Sequence, residues 1–371
     1  MKYGSREAAA ELGGRCTDNN LFRLSVDAPD SGIYQKILRN WDMIAKPLDG
    51  MGRFEAMTAQ IGAILGTDEI DLSKKAVMIM CADNGIVAEG VSQSGQEVTA
   101  AVAEQMGKGA SSVGKMAARI GADTIPVDIG INRKTPIPGV LDRKVRCGTR
   151  NFRKEPAMTR DEAVRAIAIG VELARDHKRK GYQILATGEM GIGNTTTSSA
   201  VAAALLKCGA EEVTGRGAGL SDEKLRRKKE IIAEALETYR LYEAEPLRVL
   251  ETVGGLDIAG LAGICIGGAL YHIPVVLDGV ISMVAALLAE RLKPGTVRYL
   301  LPSHKGKEPA VERLIKALNL EPVIDGKMAL GEGTGAVMLF ALLDMALGVY
   351  HGRTLFSDIQ VEQYERYYHK A

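Results

Sequence analysis

The chain lacks the marks of a zinc protein, a dithiol redox protein or a nucleic-acid-binding protein. Its cysteines are odd in number and far apart: Cys16, Cys81, Cys147, Cys208 and Cys265. No two of them form a C-x-x-C pair, which excludes the common zinc and redox motifs and indicates reduced thiols in a cytoplasmic protein. Because 47 lysines and arginines nearly cancel 46 aspartates and glutamates, there is no basic field to attract a nucleic acid. We therefore expect no metal and no nucleic-acid partner.

Long apolar runs are also missing. The longest, residues 275–288, is interrupted by Asp278 and Gly279 and is too short to cross a bilayer comfortably. The N-terminal segment has a basic start at Lys2 but no apolar core of the length that a signal peptide needs. We therefore expect a cytoplasmic protein that neither spans a membrane nor is exported.

Glycine is the residue in excess. The chain has 42 glycines among 371 residues, above the usual ~7%, and they collect at turns after short apolar runs. Five of these runs have the length of a strand and are apolar on both faces, as in a sheet that is covered on both sides. The runs are residues 76–83, 123–130, 182–189, 273–279 and 297–304.

Helical patterns lie between these runs. A capping box at Thr159 and Glu162 begins one helix, which Gly181 ends, and Ser221 begins another. Strands that alternate with helices predict right-handed βαβ units. The fold class that we expect is therefore α/β, with a Rossmann-like, mostly parallel sheet flanked by helices.

The two ends of the chain differ from its middle. Helical patterns at residues 34–45 and 51–65 come before the first strand, and the chain from Thr334 onward also has a helical pattern. We expect the two ends to pack together as a small helical domain beside a large α/β domain. The predicted segments are 1–70 and 334–371 for the small domain and 71–333 for the large one.

Polar side chains stand where the five predicted strands end. Four runs end in a carboxylate and the fifth ends in a serine–histidine pair: Asp83, Asp128, Glu189, Asp278 and Ser303-His304. In sheets of this type, ligands bind beyond the carboxyl ends of the strands. We therefore expect one crevice to collect these side chains.

The loop after the third run is a candidate phosphate site. Residues 188–197 read GEMGIGNTTT, which is close to a phosphate-binding Walker A loop but has Asn194 in place of the lysine. Four backbone N–H groups at the start of the next helix would face an anion: those of Gly191, Ile192, Gly193 and Asn194. Without the lysine and a magnesium site, a single phosphate is favoured over a triphosphate. The alternative is a glycine-rich turn with no ligand.

Two charged residues are further candidates. Lys228 is one of four adjacent basic residues, a pattern typical of a solvated helix face, but it borders the apolar side at Ile231 and Ile232. It could supply the cation that the loop lacks. Glu332 lies between glycines at the entrance to an apolar helix. Partial desolvation there would improve it as a general base, and an N-terminal helix carboxylate is an equally good interpretation.

Seven sequence blocks follow one another along residues 33–348. They are ADNGIVAEGVSQSGQEVT, TGEMGIGNTTTSSA, TGRGAGLSDEKLRRK, VGGLDIAGLAG, VVLDGVISMVAALLA, PSHKGKEPA and LGEGTGA. Taken together and in this order, they closely resemble the nicotinate-nucleotide:dimethylbenzimidazole phosphoribosyltransferases of cobamide synthesis. The resemblance is specific because seven spaced blocks agree, and not a single glycine pattern.

The resemblance implies a reaction and a set of site residues. Nicotinate would be displaced from C1′ of nicotinate mononucleotide by a nitrogen of an aromatic base, giving an α-ribotide, with no cofactor and no metal. Glu332 would be the catalytic base, Lys228 would contact the nucleotide, and Glu189 would be the glutamate of the phosphate loop. Further nucleotide contacts would come from Gly191, Ile192, Gly193, Asn194, Gly255, Asp257, Ser303 and His304, and the acceptor pocket would include Asp83, Ser94, Val102 and Leu330.

Three positions depart from the family pattern. Asn84 stands where the common form has histidine, Val102 where many members have glutamine, and Gly306 where many have serine. The acceptor therefore stays open among dimethylbenzimidazole, another azole, a purine and a phenolic base. We expect a homodimer or a heterodimer with a paralogue. The alternative is a weakly active or non-catalytic paralogous subunit, and Asn194 disfavours an unrelated NTPase or dinucleotide-binding enzyme.

Overall fold

A six-stranded parallel β-sheet organises residues 24–366, the part of the chain that the structure, a computed structural model, describes. The strand order is β3-β2-β1-β4-β5-β6, and each neighbouring pair is parallel. The strands are β1 (Lys75–Ala82), β2 (Asp123–Gly130), β3 (Leu141–Asp142), β4 (Ile184–Met190), β5 (Val275–Leu277) and β6 (Leu300–Pro302). The order reverses between β1 and β4, so the carboxyl ends of these strands form the switch point where such sheets bind ligands.

The predicted fold class is confirmed, and each of the five predicted strands is present. β5 and β6 have three residues each, so they are shorter than the apolar runs that predicted them. The structure adds β3, a strand of two exposed residues. Two residues are too few to leave a pattern of alternation in the sequence, which is why β3 was not predicted.

The helices account for most of the remaining chain. They are α1 (Ser31–Met43), α2 (Arg53–Leu65), α3 (Glu97–Gly107), α4 (Ser112–Arg119), α5 (Arg160–Arg179), α6 (Asn194–Leu206), α7 (Ala210–Val213), α8 (Asp222–Thr238), α9 (Pro246–Val253), α10 (Leu256–Leu270), α11 (Val280–Leu292), α12 (Ala310–Leu318) and α13 (Thr334–His351). The Thr159–Glu162 capping box begins α5, and the side chain of Ser221 caps α8, both as predicted.

Helices α5, α10 and α11 cover one face of the sheet. Every residue of α10 is buried, and α5 crosses it at close range. A Cβ at Gly170 of α5 would overlap the carbonyl oxygen of Gly260, and a Cβ at Gly263 would overlap that of Ile167. The glycines inside α10 therefore allow two helix backbones to touch, which explains why this sequence block is rich in glycine.

The helices from the two chain ends pack together on the other face. The rings of Trp41 in α1 and Tyr350 in α13 lie with centroids 5.2 Å apart, and Trp41 donates to Thr58 Oγ1 of α2 over 2.9 Å. Trp41 and Tyr350 belong to one apolar cluster that includes Val77 and Ile79 of β1. The predicted domain boundaries stay a prediction; Cys16 and the part of the small domain before residue 24 lie outside the described residues.

Helix α13 is the one helix within residues 24–366 that is long and apolar enough to cross a membrane by length and composition. Its mean hydropathy is 1.4 over 18 residues, and 56% of it is buried inside the fold. It packs against α2, α4 and the sheet. This packing is that of a core helix.

Candidate active site

A cavity of about 280 Å³ opens at the carboxyl ends of β4, β5 and β6. Eight of the residues predicted for the site line it: Val102, Glu189, Gly191, Ile192, Asn194, His304, Leu330 and Glu332. Seven predicted residues do not line it: Asp83, Ser94, Gly193, Lys228, Gly255, Asp257 and Ser303. Of the strand-end side chains expected in one crevice, Glu189, Asp278 and His304 line this cavity, whereas Asp83, Asp128 and Ser303 do not. The strands on one side of the switch point supply its walls.

The glycine loop connects β4 to α6 along one wall of the cavity. Gly193 has φ 93°, a left-handed conformation that glycine adopts without strain, and it is the N-cap residue of α6. The N–H of Ile192 donates to Thr99 Oγ1 over 3.1 Å, and the N–H of Asn194 donates to the carbonyl of Gly191 over 3.1 Å. Of the four N–H groups expected to face an anion, at most two are therefore available.

Lys228 lies directly behind this loop. It is fully buried on α8, and its Nζ donates to Thr195 Oγ1 over 2.9 Å and to the carbonyl of Gly215 over 3.2 Å. Burial lowers the pKa of the Lys228 ammonium to about 8, against the opposing effect of the nearby Glu308 carboxylate. The side chain points inward, as the sequence predicted, and it reaches the cavity through Thr195, which lines it.

Glu189 ends β4 and faces the cavity. Asn194 Nδ2 donates a hydrogen bond to Glu189 Oε2, which fixes the carboxyl group against the start of α6. Burial, together with the charges of Asp257 and Asp278, raises the pKa of Glu189 to about 8. Burial therefore favours the protonated form of Glu189, which can donate a hydrogen bond as well as accept one.

Glu332 enters the cavity from the turn before α13. Its φ is 62°, and the flanking Gly331 and Gly333 also have positive φ, 83° and 96°. The side chain reaches the start of α4, where Glu332 Oε2 accepts the N–H of Val113 over 3.1 Å. The other carboxylate oxygen is left to meet a ligand in the cavity.

Asp278 and His304 line the cavity at the carboxyl ends of β5 and β6. Asp278 accepts backbone N–H groups from Gly333 and Gly335 over 3.2 and 2.8 Å. Burial raises the pKa of Asp278, and the nearby His304 ring and these N–H groups oppose that shift. His304 Nδ1 lies 4.0 Å from Asp278 Oδ1 and 2.9 Å from the hydroxyl of Ser303, which is buried behind it.

Asp257 and Gly255 lie beneath the glycine loop, at the start of α10. Asp257 is fully buried; it accepts the N–H of Ile258 over 2.9 Å, and Asn84 Nδ2 lies 3.5 Å from its other oxygen. Burial raises the pKa of Asp257 to about 6. A Cβ at Gly255 would overlap the Asp257 carboxylate and Asn84, so Gly255 is a packing position. These residues support the loop from below.

Two predicted acceptor residues lie away from the cavity. Asp83 is buried, and its Oδ2 accepts the N–H of Asn132 over 2.8 Å, so its carboxylate holds the turn after β2. Ser94 is exposed in the loop before α3. Asp128, also expected in the crevice, pairs with Lys144 over 2.5 Å. Val102 and Leu330 are the predicted acceptor residues that do line the cavity.

Several lining residues had no predicted role. They include Met190, Thr195, Gly217, Ala218, Ser282, Lys307, Glu308 and Met328. Asp278, expected in the crevice as a strand-end carboxylate, also lines it, and Gly217 belongs to a glycine-rich block that the sequence shows plainly. Met328 gave no signal, because it lies in an irregular segment without periodicity. Within residues 24–366, no group of three or more His, Cys, Asp or Glu side chains is arranged to hold a metal ion.

Comparisons with known proteins agree on one family. A family model described as Phosphoribosyltransferase matches residues 26–361. The nicotinate-nucleotide–dimethylbenzimidazole phosphoribosyltransferase of Acetivibrio thermocellus is 44% identical over 329 residues, which cover 89% of this chain and 94% of the relative. The enzyme of the same name from Clostridium acetobutylicum is 42% identical over 346 residues, which cover 93% of this chain and 98% of that relative.

A solved structure gives the same result. The crystal structure of CobT from Thermus thermophilus matches with a TM-score of 0.85 and 38% identity, covering 90% of this chain and 99% of that one. The match of the family model extends over far more than half of the chain, and the curated relatives match over nearly their full length. The chain belongs to the nicotinate-nucleotide–dimethylbenzimidazole phosphoribosyltransferase family.

Proposed function

We propose that this protein transfers the phosphoribosyl group of nicotinate mononucleotide to an aromatic base, giving an α-ribotide and nicotinate for cobamide synthesis. The relatives are named for this reaction with dimethylbenzimidazole as the base. The observation that carries the proposal is the meeting of Glu332, Glu189 and the glycine loop in one cavity, with Lys228 directly behind the loop. Retention of these groups argues against a non-catalytic paralogous subunit.

The phosphate of the nucleotide binds beside the start of α6. Thr195 lines the cavity there and is hydrogen-bonded to the Lys228 ammonium. The positive end of the helix dipole and the buried ammonium both favour an anion at this position. A phosphate dianion would in turn stabilise the charged form of Lys228 and counter the effect of its burial.

Glu332 takes the proton in the displacement step. One nitrogen of the incoming azole attacks C1′ while the bond between C1′ and the pyridinium nitrogen breaks. The electron pair of the broken bond stays on that nitrogen, so nicotinate leaves with a neutral pyridine ring. The proton on the other azole nitrogen passes to Glu332. Glu189 is held by Asn194 at the start of α6, whereas Glu332 enters the cavity from the turn before α13, so the two carboxyl groups have separate roles.

The aromatic base occupies the apolar side of the cavity. Val102, Met190, Met328 and Leu330 line that side, and Leu330 is 57% exposed at the mouth. Apolar walls bind flat aromatic rings of several kinds, because burial of ring surface does not depend on the position of ring nitrogens. Product analysis identifies which of dimethylbenzimidazole, another azole, a purine and a phenol is the acceptor.

The active form is a homodimer, with a heterodimer of paralogues as the alternative. Helix α13 begins next to Glu332 and carries exposed apolar side chains along one face: Met338, Met345 and Val349, which are 41%, 61% and 40% exposed. Exposed apolar surface of this kind favours association with another protein surface. Light scattering of the purified chain alone tests the homodimer, because a chain that pairs only with a paralogue would be monomeric in that measurement. A cytoplasmic location stays a prediction.

Product analysis by mass spectrometry tests the proposed function. Purified protein is incubated with nicotinate mononucleotide and a mixture of dimethylbenzimidazole, adenine, phenol and p-cresol. We expect release of nicotinate and formation of one principal α-ribotide, which identifies the preferred acceptor in the mixture. If the protein neither consumes nor binds nicotinate mononucleotide, the proposal is wrong. Binding without turnover by the chain alone would instead favour a heteromer with a paralogue.

A further inference from the structure

Asp278 connects the sheet to the turn that carries Glu332. It follows β5, and 2% of its surface is exposed. Its Oδ2 accepts the N–H of Gly333 over 3.2 Å, and its Oδ1 accepts those of Gly335 and Ala336 over 2.8 and 3.3 Å. These N–H groups belong to the first turn of α13, which has no side-chain cap of its own. One buried carboxylate therefore satisfies the helix end beside Glu332.

The turn itself needs such an anchor. Three consecutive residues have positive φ there, and Glu332 is the one that is not glycine. A non-glycine residue in this region persists only where its surroundings hold it. The Glu332 side chain has a hydrogen bond from Val113, and its carbonyl lies against Gly188, where a Cβ would overlap it. Within the turn, the N–H and the hydroxyl of Thr334 both donate to the carbonyl of Gly331, over 3.1 and 2.9 Å. The three bonds to Asp278 tie the turn to the sheet.

We propose that Asp278 is a positioning residue for the transfer reaction. It fixes the orientation in which the Glu332 carboxylate meets the acceptor base. The proposal rests on the proposed function of the site. Asp278 takes no proton in it; its effect passes through the backbone of residues 333–336. Because Asp278 also lines the cavity, direct contact with the substrate is the competing explanation. The two explanations differ in how the effects of substitutions combine.

A double-mutant cycle separates them. Asp278→Asn keeps the size of the side chain but replaces one accepting oxygen by an amide NH₂, which cannot accept an N–H. We expect kcat to fall about 10–100-fold, as for a displaced catalytic group, while KM for nicotinate mononucleotide stays within about threefold. In a Glu332→Gln background, the same substitution should lower kcat by less than about threefold further. Losses that multiply would mean that Asp278 acts on the substrate directly, which overturns the proposal.

Hydrogen exchange gives a second readout that needs no turnover. In Asp278→Asn, the amides of residues 333–336 should exchange faster, while those of the central strands stay protected. Unchanged exchange there would also overturn the proposal. Failure of the proposed function is distinguishable, because it would appear as an inactive wild-type protein. If Asp278→Asn does not fold, Asp278→Glu keeps the acceptor oxygens but displaces them by one methylene, and a smaller loss of kcat is expected.

Asp128→Asn is the matched control. Asp128 is also a buried strand-end aspartate, and it accepts the N–H of Ile131 over 2.9 Å, but it lies outside the cavity. Its substitution should lower the thermal stability and leave kcat near the wild-type value. A comparable loss of kcat in this control would show that destabilisation alone explains the Asp278 result, and the positioning role would be wrong.

Discussion

Glu332→Gln removes a proton acceptor and keeps the shape of the turn. The glutamine Oε1 can accept the N–H of Val113 as the carboxylate does, over about the same 3.1 Å, so the start of α13 should stay in place. The backbone contacts to Asp278 do not involve the Glu332 side chain. Loss of a general base costs about 10²–10⁴ in kcat. That range corresponds to about 3–5 kcal/mol of activation free energy.

Initial rates of α-ribotide formation measure the effect, and titration calorimetry measures the dissociation constant of nicotinate mononucleotide. We expect kcat to fall over that range while the dissociation constant changes little, because Glu332 acts on the incoming base. Glu312→Gln is the control: this glutamate is exposed, pairs with Lys305 and lies outside the cavity. It should have wild-type values of both quantities.

Two results would refute the reasoning. If Glu332→Gln kept more than about a third of the wild-type kcat, Glu332 would not be the base, since loss of a base has a far larger effect. If kcat stayed the same while nucleotide affinity fell, the side chain would contribute uniform binding and not catalysis.

Three further predictions concern the loop, the turn and the buried carboxyl group. Lys228→Met should weaken nicotinate mononucleotide binding about tenfold or more, measured by calorimetry, because a charged hydrogen-bond donor is worth roughly 1.5–3 kcal/mol; a loss confined to kcat would contradict this. Gly188→Ala should lower the free energy of unfolding in urea by about 1–3 kcal/mol, because its Cβ overlaps the Glu332 carbonyl, and an unchanged midpoint would contradict the packing. Folding raises the pKa of Glu189 from 4.5 to about 8, so the native state binds more protons and the free energy of unfolding should fall as pH rises across that window. Glu189→Gln should flatten this decline in urea titrations between these pH values, and an equal slope in both proteins would refute the shift.

The sheet could be predicted because its strands have a local signature. Each of the longer strands is buried on both faces, so its sequence is a short apolar run that ends at a glycine or a carboxylate. β3 has no such signature, because it is a two-residue exposed strand at the edge of the sheet. The helix ends were predictable for a similar reason, since the capping box at Thr159 and the cap at Ser221 are local hydrogen bonds.

The site could be predicted only in part, because orientation and long-range contacts leave no local pattern. Asp83 and Glu189 both end central strands, yet Asp83 turns to the N–H of Asn132 while Glu189 faces the cavity. The difference depends on the loops that follow, which strand patterns do not encode. Asp278 contacts residues 55 to 58 positions further along the chain, so nothing near it in sequence marks its partners. Val102 was identified by family resemblance alone.

The charges around the cavity match a substrate that is negative at one end and positive at the other. The Lys228 ammonium lies behind the start of α6 on one side, and Asp278 and Glu332 meet at the turn before α13 on the other. Glu189 lies between them, hydrogen-bonded to Asn194 and beside Gly331. In the proposed reaction, the phosphate binds to the first side and the cationic pyridinium and ribose ring face the second. The Glu332 carboxylate placed there stabilises the positive charge that develops at C1′ as the pyridinium leaves.

Three full negative charges in so small a cavity would repel one another strongly. The raised pKa of Glu189, about 8, resolves this conflict, because a proton on Glu189 at neutral pH leaves fewer charges beside Asp278 and Glu332. The negative charge of Asp278 is stabilised by backbone N–H groups and by the nearby His304 ring. Both oxygens of Asp278 hold backbone N–H groups, and Asn194 holds Glu189 against the start of α6. Glu332 enters the cavity from the separate turn before α13, which is why the base is better assigned to Glu332 than to either neighbour.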